Sequence, residues 1–209
     1  MKSISTASSI LVHIRSMPRG EPFTSASMLA FGSRASVDQA LARLTKAGAI
    51  ERIARGLFVR PETSRYVAKV MPDPAKIAEA LAKSINAKVQ VHGAEAARRL
   101  GLSTQVPLRP VFQTSGPSRR VQLGALEIRL QHVAPRKLVL TGRPAGLAIA
   151  AMWYLGKKEM SAAVVKQIES KLSREEFAAL RAAASAMPAW MSDAIAKHQR
   201  STPVAARDG

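Results

Sequence analysis

Residues 33–59, SRASVDQALARLTKAGAIERIARGLFV, decide the fold. Val37, Ala40, Leu41 and Leu44 recur here at i, i+3, i+4 and i+7, the spacing of one apolar face on an amphipathic helix. Ser33 stands ahead of that run as an N-cap and Gly48 behind it as a left-handed terminator, so the pattern predicts a helix to about Ala47. Residues 49–53 and 57–59 are short β-type runs on either side of Ala54-Arg55-Gly56, which predicts a hairpin. Upstream, Ile4, Ile10, Leu11 and Ile14 mark a first helix that Met17-Pro18-Arg19-Gly20 ends, and Thr24 or Ser25 caps a short second helix ending at Gly32. Three helices followed by a hairpin is the order of a winged helix-turn-helix. It fills residues 3–61.

The side of the third helix opposite its apolar face carries Ala35, Gln39, Ala42 and Lys46, flanked by Ser36, Asp38 and Arg43. Small residues among polar ones let a helix approach a DNA groove closely. Gln39 and Arg43 have the donors and acceptors that read adenine and guanine edges, Ser36 joins them facing the bases, and Lys46 suits a phosphate. Ser33 and Arg34 lie at the helix N-terminus, where free N–H groups favour an anion. In the hairpin, Arg52, Arg55 and Arg60 surround the tip, and an arginine-tipped wing can follow the backbone or enter the minor groove. Taken alone, this helix also reads as an ordinary amphipathic surface helix; the hairpin immediately behind it favours the DNA reading.

Residues 61–72 read as a linker, dividing a winged helix-turn-helix domain (1–65) from an α+β domain (66–209). In the second, Asp73-Pro74 opens a helix carrying Ile77, Leu81 and Ile85. Residues 89–91, 111–114, 119–123, 126–133 and 138–140 have strand composition, and residues 93–100 form a helix ending at Gly101. From Gly146 the chain is Ala-rich and helical. Ser173-Arg-Glu-Glu176 is a capping-box signature, Pro188 opens a last helix, and the tail after Arg200 frays. The predicted fold class is α+β with a terminal helical layer.

Charge points to the same class of partner. With 32 Lys+Arg against 14 Asp+Glu, the 209-residue chain has a formal net charge of +18. Residues 98–143 hold nine Lys/Arg and one acid, Glu127, so Arg98, Arg99, Arg119 and Arg120 are candidates for a second basic surface. A cationic surface draws in polyanions by steering and counterion release. The absence of Cys excludes disulfides, thiol catalysis and Cys-based zinc sites. No apolar run is long enough for a membrane span, and residues 1–17 are too short and polar for a secretory signal, so the expected location is cytoplasmic. His13, His92, His132 and His198 are scattered, with His13 expected in the core beside the first helix's apolar face. No catalytic, cofactor or metal constellation emerges, and the chain does not read as an enzyme.

Two blocks carry a family resemblance. Gly32-Ser-Arg-Ala-Ser-Val-Asp-Gln-Ala-Leu-Ala-Arg-Leu44 with Gly48-Ala-Ile-Glu-Arg-Ile-Ala-Arg-Gly-Leu-Phe58 and Pro61 resembles the winged-helix half of AbiEi-type antitoxins. Gly101-Leu-Ser-Thr-Gln-Val-Pro107 with Val111-Phe-Gln-Thr-Ser-Gly-Pro-Ser-Arg119 resembles the domain that follows it. Together the blocks cover most of residues 20–124; Phe58, where a Tyr is expected, and Gln113-Thr114 depart from the pattern. The resemblance implies a type IV antitoxin that represses its own operon at inverted repeats as a monomer or weak dimer binding cooperatively. It also implies action against a nucleotidyltransferase toxin without a stable complex. Two other classes stay open: an RNA-binding protein using 98–143 as its platform, and a module that neutralises a toxin by direct contact. The 98–143 stretch holds only Phe112 as a stacking aromatic, which disfavours a single-strand reader.

Overall fold

The computed structural model describes residues 5–61 and 71–201. Within them the chain is α+β. It divides into two compact units, one of Met1–Ala87 with Arg119–Arg129, the other of Lys88–Ser118 with Leu130–Gly209. Most of the predicted linker, Ile4 and the predicted frayed tail from 202 on lie outside the described residues.

The first unit begins with α1 (Thr6–Ser16), capped by Ser5, whose hydroxyl accepts the Ser8 N–H at 3.2 Å. A strand absent from the sequence reading follows, β1 (Pro22–Thr24), then a 3₁₀ helix (Ala26–Phe31) and α2 (Arg34–Lys46). The hairpin is β2 (Glu51–Ala54) and β3 (Leu57–Val59). β3 lies in the middle of an antiparallel three-stranded sheet ordered β1-β3-β2. Ile10 and Ile14 of α1, Val37 and Leu41 of α2, Met28 and Ile50 close a core from which water is excluded. Each such burial stabilises by roughly 1.5–3 kcal/mol. Phe23 and Phe58 stack across the sheet at 5.8 Å between ring centres.

α3 (Pro74–Lys83) belongs to this unit rather than to the second one, so the predicted boundary at residue 65 is not where the compact units divide. The reason is packing. Asp73 caps the helix, Ile77, Ala78, Leu81 and Ala82 form its buried stripe, and it lies against β1, with Lys76 Nζ donating to Glu21 at 3.2 Å. The unit also takes in β6 (Arg119–Leu123) and the first part of β7 (Leu126–His132), a hairpin turning at Gly124.

In the second unit β4 (Val89–Val91) pairs antiparallel with β5 (Val111–Thr114), and the Val133 N–H donates to the Thr114 carbonyl as β7 ends. Residues 138–140, predicted as a strand, are not one. Pro135–Leu138 forms a 3₁₀ turn, Thr141 Oγ1 donates back to the Leu138 carbonyl at 2.6 Å, and Leu140 takes a left-handed φ of 56°. The helical layer is α4 (Gly93–Arg99), α5 (Pro144–Glu159), α6 (Ala162–Lys171), α7 (Arg174–Ala182) and α8 (Ala189–Ser201). Alanines make it tight. Ala96 and Ala97 of α4 and Ala148 and Ala151 of α5 are fully buried in one core. A Cβ on Gly93 would stand 2.5 Å from both the Ala150 carbonyl oxygen and Tyr154 Cβ. Among the described residues, no helix is long and apolar enough to cross a membrane.

Candidate nucleic-acid interface

α2 is built as its sequence dictates. The Ser33 hydroxyl accepts the Ser36 N–H at 3.3 Å. At the other end Gly48 takes φ 70°, which lets its N–H reach the Thr45 carbonyl and the Ala49 N–H reach the Leu44 carbonyl, both at 3.0 Å. That paired closure satisfies carbonyls the helix leaves open. Val37, Ala40, Leu41 and Leu44 are buried, as the periodicity predicts. The exposed arc is therefore fixed in direction, and it faces away from the core.

A groove of about 610 Å³ runs between this arc and the hairpin. Arg34, Asp38, Ala42 and Lys46 line it from α2, Arg52 and Arg55 from the hairpin. The hairpin has a defined set of its own. Its pairing slips between Arg52 and Ala54, leaving Ile53 as the extra residue of a bulge, which raises the local twist. Gly56 takes φ 71° at the tip, and its carbonyl accepts the Ser25 N–H at 3.0 Å, which holds the tip against the start of the 3₁₀ helix.

The groove gathers some of the residues read from the sequence and leaves others on its flank. Arg34, Lys46, Arg52 and Arg55 line it. Gln39 and Arg43 are exposed on α2 but stand outside the groove lining, on the outward side of the arc, where no neighbour holds their side chains among the described residues. Ser36 is half-buried, and its hydroxyl is engaged with Ser33 at 2.5 Å. Ser33 serves as the cap. Arg52 Nε donates to the Ala54 carbonyl at 3.4 Å, along its own strand.

Arg60 does something the charge pattern hid: its Nη1 donates to the Arg15 and Met17 carbonyls at 2.9 and 3.3 Å, tying the end of β3 to the last turn of α1. Asp38 is the groove residue the sequence reading passed over as a mere flank. It accepts from Arg34 Nε at 2.9 Å, with both side chains more than half exposed. The signal available was the i, i+4 spacing of the two residues.

The four residues expected to give a second basic surface, Arg98, Arg99, Arg119 and Arg120, are divided between the two units. Arg98 and Arg99, on α4 in the second unit, both donate to Glu95 at 2.8 Å. Hydrogen bonding from Arg98 is the main cause that holds the Glu95 carboxyl at about 2. Arg143 is likewise tied to Glu176 at 2.8 Å, and Arg129 to Glu127. At the predicted capping box the Ser173 hydroxyl accepts the Glu176 N–H at 3.2 Å, while the Glu176 carboxylate accepts instead from Arg143 and from the Ala145 N–H at the start of α5. Arg119 and Arg120 lie instead in the first unit, on β6.

Each histidine has a defined neighbour in the fold. His13 is exposed rather than buried and lies 5.0 Å from the Phe31 ring. His92 Nδ1 accepts the Ala94 N–H at 3.2 Å and so caps α4, and burial pushes its pKa down. His132 Nδ1 pairs with the Gly116 carbonyl, and His198 Nε2 with Glu169. No three His, Asp or Glu side chains gather as metal ligands among the described residues.

Comparison with protein families matches residues 9–180 to DUF6088, a family of unknown function. No curated protein matches the chain. Among solved structures, the chain is similar to the crystal structure of the RV2827C protein from Mycobacterium tuberculosis, at 16% identity and a TM-score of 0.44, covering 96% of this chain and 80% of that one.

Proposed function

This chain belongs to the DUF6088 family, and we propose that it is a sequence-specific, double-stranded DNA-binding regulator whose first unit acts as a winged helix-turn-helix. One observation carries the reading: a groove lined by Arg34, Lys46, Arg52 and Arg55 between an outward-facing helix and a hairpin tip. α2 enters the major groove with Gln39 and Arg43 toward base edges, since both stand on its outer arc with their donors uncommitted. Lys46, Arg52 and Arg55 neutralise phosphates beside it. The alanines at 35 and 42 leave room for the close approach.

The biological setting rests on the resemblance of residues 32–61 and 101–119 to AbiEi-type antitoxins. On that basis the protein is a cytoplasmic autorepressor of a toxin–antitoxin operon and a type IV antitoxin, with no enzymatic activity of its own. Footprinting on the promoter of its own operon tests the reading. Protection confined to inverted repeats, and lost with Gln39→Ala together with Arg43→Ala, is the expected result. Protection spread evenly along the fragment would mean that charge alone binds.

A further inference from the structure

Among the cations of residues 98–143, several are already neutralised. Arg98, Arg99, Arg129 and Arg143 each have a carboxylate partner. Arg119 and Arg120 have none among the described residues, and both are exposed on β6. β6 lies beside β2 of the hairpin, in the same compact unit. Arg119 Nη2 donates to the Arg55 carbonyl at 3.4 Å, which places it at the wing tip itself. The alternation along β6 buries Val121 and Leu123 and turns Gln122 outward on the face of Arg120, while Arg119 is the exposed first residue of the other face, next to the hairpin.

From this juxtaposition we propose that β6 is a second DNA-contacting element, in which Arg119 and Arg120 bind duplex backbone phosphates next to those held by Arg55. The inference rests on the DNA-binding reading and extends its footprint: the interface recruits a strand more than 50 residues downstream of the hairpin (119 against 57). Side chains on a strand read shape and charge rather than base identity here, because Arg119 is held against the hairpin backbone and Arg120 has no helix or turn to aim it into a groove. Their contribution is therefore the same on every sequence. Each phosphate neutralised adds about 0.9 to the slope of log affinity against log salt.

Fluorescence-anisotropy titrations of the full chain test this at several salt concentrations, with a duplex from its own promoter and a shuffled duplex of equal length. The probes are compared for wild type, Arg119→Ala/Arg120→Ala and Arg119→Lys/Arg120→Lys. The alanine pair is expected to weaken both duplexes by the same factor and to make the salt slope shallower by about 1.8, with the lysine pair restoring most of it. Unchanged affinity and slope in the alanine pair, with wild type still preferring its promoter, would overturn the role of β6 and leave the DNA reading standing. Absence of any promoter preference in wild type, or tighter binding to an RNA duplex of the same sequence, would overturn the DNA reading and this proposal with it.

Discussion

Arg34 Nε donates to Asp38 Oδ2 at 2.9 Å, one turn along α2, so the cation at the helix start is already engaged inside the groove. Such an exposed pair holds by only about 0.2–1 kcal/mol, weak enough for a phosphate to take the guanidinium over. Asp38 then stands as the acid that any bound duplex must meet.

Asp38→Asn removes that acid and frees Arg34. Affinity for random duplex is expected to rise about 1.4- to fivefold, the equivalent of the surface pair's strength, while promoter affinity rises less. Competition titrations with both duplexes measure the ratio, and a ratio unchanged from wild type would contradict this role.

Arg43→Ala addresses base reading. If its guanidinium makes a paired contact to a base, promoter binding falls by about 1–3 kcal/mol and discrimination relaxes at one base pair. A set of promoter duplexes substituted one pair at a time reveals that position. Equal weakening on promoter and random duplex would reassign Arg43 to the backbone.

How much of this was legible beforehand follows the range of the interactions. α2 was legible because its signals are local: Val37, Ala40, Leu41 and Leu44 on one face, Ser33 and Gly48 at its ends, all confirmed by burial and capping. Asp73 and Pro74 announced α3 in the same way. β1 was hidden because three residues, one of them proline, acquire strand character only by pairing with β3 some 35 positions on (Pro22 with Val59 to Thr24 with Leu57). Residues 138–140 misled because their apolar composition suits a strand, whereas Pro135 starts a 3₁₀ turn and Leu140 takes a left-handed conformation. The partners of the cations were equally hidden where they are distant in sequence. Arg143 finds Glu176 and Arg60 finds the end of α1 only in the folded chain.

Gly146 marks where the second unit tolerates no side chain. A Cβ there would stand 2.1 Å from the Leu140 carbonyl oxygen, so the turn and the start of α5 cannot both stay in place. Gly146→Ala is expected to destabilise by about 1–3 kcal/mol in denaturant titrations. Gly142→Ser meets no atom within 4 Å, yet φ 86° strains it, so its smaller loss isolates the backbone term.

The Glu95 carboxylate supplies a pH dependence. Its pKa lies at about 2 in the folded chain against 4.5 ordinarily, held down chiefly by the Arg98 hydrogen bonds. A depressed carboxylate contributes stability that is complete above the unfolded value and is lost as pH falls from about 4.5 toward 2. Wild type is therefore expected to exceed Glu95→Gln by about 1 kcal/mol at pH 7, solvent screening having reduced the full shift, with the gap narrowing below pH 4.5 and closing as pH falls through about 2. A gap constant across that range would contradict the assignment.

The central claim is that α2 recognises a sequence and does not merely carry charge. The most direct measurement is the ratio of equilibrium affinities for a promoter duplex and a shuffled duplex of the same composition, at physiological salt. The account predicts a preference of about 10³ or more for the promoter. Equal affinities, falling together as salt rises, would contradict it and reduce the groove to a general polyanion surface.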